Sequence, residues 1–267
     1  MNRDTSTWEV PKYVKKEFAD KKNDYCVCIP VINEGHRIQK QIQQIADFGV
    51  ADKVDVIICD GGSTDGSLNE SFLKEKGVNT LLTKQDTGKL SAQLRMGYSF
   101  ALLRGYEGIV TIDGNGKDNV EAIVDMVTAL KNGYDMVQGS RFVKGGKAVN
   151  TPFIRHIAVK LLHVPVISIA ARFKYTDTTN GFRAYSVNYL LHPKVQPFRK
   201  IFDTYELLAY LSVRAPRLGL KIKEIPVTRV YPKKEKTPTK ISFFKGNFSL
   251  IKILWGVLLR RYNPKTY

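Results

Sequence analysis

Cysteine is scarce in this chain: three among 267 residues, Cys26, Cys28 and Cys59, each inside an apolar run. There is no Cys-x-x-Cys pair and no histidine close to them in sequence, which argues against a disulfide framework or a zinc site. Free, buried thiols in a reducing compartment are the expectation. Met1–Asp20 lacks the apolar core of a secretory leader. No stretch reaches 18 uncharged apolar residues, so no transmembrane helix is expected, and the protein reads as cytoplasmic. Internal repeats are absent. No glycine-rich basic loop follows the first apolar run, which argues against the phosphate loop of a nucleotidyltransferase. Acid is missing from one half: residues 141–267 carry 5 Asp/Glu against 25 Lys/Arg, whereas residues 1–140 carry 20 against 17.

What is present is otherwise ordinary for a folded protein, with 43% hydrophobic and 25% charged residues. The net charge of +17 is not ordinary, and it arises wholly in the second half, since the first half is slightly acidic. Such asymmetry suits an anionic partner: phosphates, a lipid surface or nucleic acid. Along the first half, apolar runs at Tyr25–Val31, Val54–Cys59, Thr80–Thr83, Gly108–Ile112 and Asp135–Gln138 read as strands. Between them, residues 36–47, 67–76, 91–103 and 120–131 have helical spacing, with Ile38, Ile42 and Ile45 as the clearest stripe. This alternation predicts a mostly parallel sheet with helices on both faces. Residues 1–23 are polar and read as an arm or loose helix.

Two strands end on acid. Val56–Cys59 runs into Asp60-Gly61-Gly62-Ser63-Thr64-Asp65-Gly66, and Val110–Ile112 into Asp113-Gly114-Asn115-Gly116-Lys117. A third strand end, Ile29-Pro30, runs into Asn33-Glu34. Each Asp-Gly alone is common turn chemistry. Ligands of open α/β sheets bind beyond the carboxyl ends of the strands, so together the three ends outline one polar crevice suited to a nucleotide sugar.

In the basic half, Phe153, Ile154, Ile157, Leu161 and Leu162 alternate with Arg155, His156, Lys160 and His163. Both histidines read as polar-face residues. Residues 231–240 form a basic loop punctuated by prolines. Residues 241–261 place Ile241, Phe244, Phe248, Ile251, Trp255 and Leu258 on one stripe, either resting on a lipid interface or packed on the protein core.

In their order and spacing the motifs resemble those of the inverting GT-A nucleotide-sugar glycosyltransferases, and most of all the polyprenyl-phosphate sugar transferases. The landmarks are Ile29–Gly35, Asp60–Gly66, Gly88-Lys89, Asp113-Gly114-Asn115, Gly139-Ser140-Arg141, Asp177–Arg183, Arg229 and Lys240. The likeness covers about Tyr25 to Lys240. It implies a GT-A domain over residues 24–230, an N-terminal arm before it, and a basic amphipathic C-terminal segment over 231–267. It also implies that Pro30, Asn33, Glu34, Asp60, Lys89 and Gly114 bind the nucleotide sugar. Asp113 and Asn115 would hold Mg²⁺ or Mn²⁺ against the diphosphate, and Arg229 and Lys240 would close over the donor. Arg141 and Arg155 would grip the acceptor phosphate, with Asp113, Arg141 and Arg155 as the catalytic set. The implied partners are a nucleotide-sugar donor, a polyprenyl phosphate and an anionic membrane surface, at the inner face of a membrane.

Three positions depart from the family pattern. Asn115 stands where a second carboxylate is usual, Lys117 where a metal-contacting Gln is common, and Val159 where the lipid-phosphate enzymes often carry Ser. The first two bear on whether a metal is required. If the acceptor is a sugar hydroxyl, a carboxylate must take its proton, and Asp203 and Glu206 are the candidates. Their plainer reading is a helix start. A non-catalytic nucleic-acid binder is the remote alternative, and no nucleic-acid partner is expected.

Overall fold

The computed structural model describes residues 5–232 and 243–265. Its centre is an eight-stranded sheet ordered β1-β4-β3-β2-β5-β8-β6-β9. The strands are β1 (Tyr13–Glu17), β2 (Tyr25–Val31), β3 (Asp55–Asp60), β4 (Val78–Lys84), β5 (Gly108–Thr111), β6 (Met136–Ser140), β8 (Arg183–Ser186) and β9 (Ile222–Pro226). Strands β4, β3, β2 and β5 run parallel, and β6 pairs parallel with β9. The sheet is nonetheless mixed, because β8 lies antiparallel between β5 and β6, and β1 antiparallel on β4. The second edge lies in the segment read as a polar arm. Lys15, Lys16 and Glu17 hide the strand from a hydrophobicity pattern, and charged edge strands resist pairing with other chains.

Helices cover both faces. α1 (His36–Asp47), α2 (Glu70–Glu75) and α4 (Ala122–Lys131) close one side; α3 (Leu90–Leu103), α6 (Val164–Ala171), α8 (Glu206–Arg217) and α9 (Phe243–Leu258) close the other. Successive residues of a strand point to opposite faces, and here both faces are buried. Val27, Ile29 and Val31 of β2 therefore enter one core, while Cys26 and Cys28 enter the other with Cys59. This is why the strands read as unbroken apolar runs. The three thiols are buried and unpaired.

α3 is buried on nearly all sides, not only along Leu94, Tyr98 and Ala101. Two of its polar residues are satisfied by backbone oxygens: Arg95 Nε donates to Phe202 O at 2.9 Å, and Gln93 Nε2 to Val31 O at 2.7 Å and Cys59 O at 2.9 Å. A two-stranded parallel sheet, β7 (Lys147–Val149) with β10 (Thr228–Val230), sits beside the main one. Phe153–Ala171 is one continuous helical run: α5 (Phe153–Ala158), a wide π-helical turn at Val159–His163, then α6. It is long and apolar enough to cross a membrane by length and composition, with only 17% of its most apolar window buried. Arg155 and Lys160 interrupt the run, which is why a search for uncharged stretches passes over it. A four-residue helix, α7 (Val187–Leu190), follows β8.

α9 differs from the one-stripe reading. Ile253, Leu254 and Val257 are buried in the core, whereas Ile251 and Trp255 face outward. Lys240, Ile241 and the side chains of Phe244 and Phe248 lie outside the described residues.

Candidate active site

The crevice forms where β2 sends its chain to β3 on one side while β5 flanks it on the other. The three strand ends are tied to one another: Gly61 N donates to Val31 O at 2.8 Å, and Gly114 N to Pro30 O at 3.3 Å. A Cβ on Gly114 would stand 2.7 Å from Val31 Cγ2 and 3.0 Å from Pro30 O, so only glycine lets this loop close onto β2. Asp60 is buried at its strand end, where Oδ1 accepts from Ser63 N at 2.8 Å and Ser63 Oγ at 2.7 Å. The neighbouring loops interlock. Asn33, at φ +47°, takes a hydrogen bond from Thr64 N at 2.7 Å, and Gly35 N donates to Asp65 at 2.8 Å. Glu34 pairs with Arg37 at 3.0 Å. Lys89 is exposed at the start of α3, with Nζ 5.9 Å from the Tyr205 ring centre. Lys84, which no motif singles out, is buried and donates to the carbonyls of Asp86 and Thr87, holding the turn before Lys89.

Asp113 lies at the centre of an ionic network that links distant segments. Its Oδ2 is 3.0 Å from Arg229 Nη2, and Arg229 Nη1 also donates to Asp118 and, at 3.2 Å, to Asn180 Oδ1. Asn180 Nδ2 returns a bond to Asp118 at 3.2 Å. Any side chain at Gly181 would collide with the Asp113 carboxylate. Burial raises the pKa of Asp118 to about 6, opposed by Arg229. Burial disfavours the Arg229 charge, yet Asp118 and Asp113 outweigh it and raise its pKa.

Tyr231 completes the cluster, one residue after β10. Lys117 Nζ lies 5.2 Å from its ring centre, Arg155 Cζ 5.6 Å and Arg229 Cζ 5.8 Å. Arg155 Nη1 donates to the phenol oxygen at 3.2 Å. Burial alone would raise the phenol pKa, but Arg229 and Arg155 bring it below the usual tyrosine value. Lys117 is only 6% exposed, and burial, then Arg229, lower its pKa. Three cations beside one buried ring create a locally positive field.

Arg141 stands differently from the reading that frees it for an acceptor. Its guanidinium grips Asp177 in a fork, at 2.6 Å and 2.9 Å, and reaches Thr179 Oγ1 at 2.7 Å. Burial opposes both charges; the hydrogen-bonded pair outweighs it, raising the arginine pKa and lowering that of the acid. Arg183, fully buried, secures the same loop through Thr178 O at 2.8 Å, Asn180 O at 3.0 Å and Ser212 Oγ at 2.8 Å. His163 is no polar-face residue: it sits 2.7 Å from Thr178 Oγ1, and burial lowers its pKa to about 4. His156 instead meets the Phe142 ring edge-on.

Asp203 and Glu206 lie beside Lys89 and Ser91. Lys89 N donates to Asp203 O at 2.8 Å, and Asp203 Oδ1 is 3.9 Å from Arg95. Glu206 opens α8, and its carboxylate accepts from Thr204 N at 2.7 Å and Thr204 Oγ1 at 2.6 Å. That is helix-start chemistry.

A divalent cation at Asp113 and Asn115 needs oxygen donors that are free to turn to it. Asp113 Oδ2 already holds Arg229, and Asn115 Nδ2 points to the same oxygen at 3.5 Å. Asn115 Oδ1 accepts from Lys117 N at 3.3 Å, and Asp118 is enclosed by Arg229 and Asn180. Among the described residues no three His, Cys, Asp or Glu side chains converge on a metal position. These residues do not fit a bound metal ion as they stand.

Residues 26–193 match glycosyl transferase family 2. The chain is 27% identical over 236 residues to an undecaprenyl-phosphate mannosyltransferase of Micrococcus luteus, covering 87% of this chain and 93% of that one. It is 26% identical to the polyprenol monophosphomannose synthase of Mycolicibacterium smegmatis, over 86% of each chain. Among solved structures, glucosyl-3-phosphoglycerate synthase of Mycobacterium tuberculosis, crystallised with Mn²⁺, UDP-glucose and phosphoglyceric acid, superposes with a TM-score of 0.61. That superposition covers 89% of this chain and 79% of that one at 18% identity, which establishes a shared GT-A fold. The chain belongs to glycosyl transferase family 2 and is a nucleotide-sugar glycosyltransferase.

Proposed function

We propose that the chain moves a hexose from a nucleotide sugar to a polyprenyl phosphate, with inversion at the sugar carbon, at the cytoplasmic surface of a membrane. The observation that carries this reading is the position of Arg155. It faces Tyr231 inside the cation cluster, yet its helix neighbours Phe153 and Ile154 are 76% and 73% exposed. A phosphate-binding cation at the head of an exposed apolar helix matches a ligand with an anionic head and a long hydrocarbon tail. Leu161 and Ile169 continue the exposed surface. Two of the relatives are named for transfer to or synthesis of polyprenyl phosphosugars, which supports the same acceptor class.

The donor lies across the strand ends, its nucleoside toward Pro30, Asn33, Glu34, Asp60 and Lys89 and its diphosphate toward Asp113, Gly114 and Arg229. A phosphate oxygen is already anionic and attacks the sugar carbon without a general base. Attack opposite the departing diphosphate inverts that carbon. A lipid-phosphate nucleophile leaves Glu206 free to serve α8, as its bonds to Thr204 suggest. The test pairs Arg155→Ala with Glu206→Gln in transfer to a short polyprenyl phosphate. The first variant loses at least about tenfold in kcat/KM, the scale of one charge-assisted contact; the second retains activity. The opposite pattern replaces this reading with transfer to a sugar hydroxyl.

A further inference from the structure

We infer that this chain neutralises the departing nucleoside diphosphate with its own fixed cations, Lys117 and Arg229, and transfers sugar without a divalent metal ion. The inference rests on the donor reading above and concerns only how the leaving group is stabilised.

Transfer breaks the bond between the sugar carbon and the diphosphate oxygen, and that oxygen keeps the electron pair. The acceptor oxygen supplies the pair for the new bond, so charge accumulates on the leaving diphosphate and must be met by positive charge. The side chains around Tyr231 and Asp113 supply it. Lys117, Arg155 and Arg229 all lie within 6 Å of the Tyr231 ring centre, and Arg141 acts on the same phenol. Asp113, Asp118 and Asp177 are the facing carboxylates, and each already has a guanidinium partner. Among the described residues, four cations and three carboxylates gather here. A metal ion would add two charges beside a buried ammonium and a buried guanidinium, and it would have to share the Asp113 carboxylate with Arg229.

Lys117 is placed for the substitution. Its backbone is fixed on both sides: its N–H donates to Asn115 Oδ1 at 3.3 Å, and its carbonyl accepts from Val230 N at 2.8 Å. This fixes the Lys117 backbone between the loop after β5 and the strand that carries Arg229, and its ammonium lies 5.2 Å from the Tyr231 ring centre. Preorganised charge of this kind needs no reorganisation when the bond breaks.

The experiment uses the full chain stripped with a chelator. UDP and GDP are added with and without Mn²⁺ while the melting temperature is followed, and Mn²⁺ is titrated by electron paramagnetic resonance with the nucleotide present. The expected results are equal stabilisation by a nucleoside diphosphate in chelator and in Mn²⁺, and no stoichiometric Mn²⁺ site. Transfer rates in the two conditions should agree within about twofold. Lys117→Gln should weaken nucleoside diphosphate binding at least tenfold in chelator, and Lys117→Arg should restore most of it. A stoichiometric Mn²⁺ site that disappears in Asp113→Asn, with nucleotide stabilisation seen only when Mn²⁺ is present, overturns the inference and leaves the donor reading standing. If neither nucleotide stabilises the chain in either condition, the donor reading falls and this inference falls with it.

Discussion

Asp113 and His163 show how differently one half-buried polar side chain can be used. Asp113 keeps a quarter of its side chain open to the crevice and holds Arg229 in place. Asp113→Ala should lower turnover by about two orders of magnitude or more, the scale of one strong transition-state contact. Near-normal turnover in a folded variant would remove Asp113 from the reaction. His163 is half-buried too, with its ring 2.7 Å from Thr178 Oγ1. Folding lowers its pKa from 6.5 to about 4, so as pH falls the unfolded chain takes up the proton first. Its contribution is complete above pH 6.5 and is lost between there and pH 4, to a limit of about 3 kcal/mol. Denaturant titrations across that window should show His163→Gln losing less stability than the unmutated chain. Equal slopes would contradict this. At this scale the acids Asp60 and Asp113 were legible because each ends an apolar run. Tyr231, Asn180 and Lys84 were not, because their roles exist only once β10, the 177–182 loop and the turn before α3 have closed on one another.

Among the elements, the strands and helices of the first half follow from periodicity, and β2 and α1 begin and end where the pattern places them. The second half is harder to read, since Phe153–Ala171 and α9 both mix apolar residues with cations. Their environments separate them. Phe153, Ile154 and Leu161 face outward, whereas Ile253, Leu254 and Val257 are closed into the core. Leu254→Ala should cost roughly 2–5 kcal/mol through transfer and cavity terms, while Trp255→Ala should stay below about 1 kcal/mol; chemical denaturation decides between them. An equal loss at both sites would mean that α9 is packed otherwise. Truncation after Lys240 therefore tests stability rather than lipid contact. Ile154→Ser with Leu161→Ser is the cleaner probe. Sedimentation with anionic liposomes should fall several-fold while the melting temperature holds, because these side chains are exposed. Unchanged sedimentation would place the lipid contact elsewhere.

For the molecule as a whole, the parallel strands bring three loops to one edge, and the basic second half lays its cations across them. Charge separation between the halves was legible from composition, and the two halves meet in the site, where Arg229 of the basic half pairs with Asp113 and Asp118 of the acidic one. The mixed sheet was less legible, since β8 is four residues long and its direction is set by pairing with β5 and β6. The central claim is transfer to a lipid phosphate. Its most direct test supplies labelled nucleotide hexoses to the full chain with a short polyprenyl phosphate and, in parallel, with the same polyprenol lacking phosphate and with a free glycan. The account predicts label in the polyprenyl phosphate alone, as an acid-labile glycosyl phosphate of inverted configuration. Label on the glycan or on the unphosphorylated polyprenol, with none on the lipid phosphate, would contradict it.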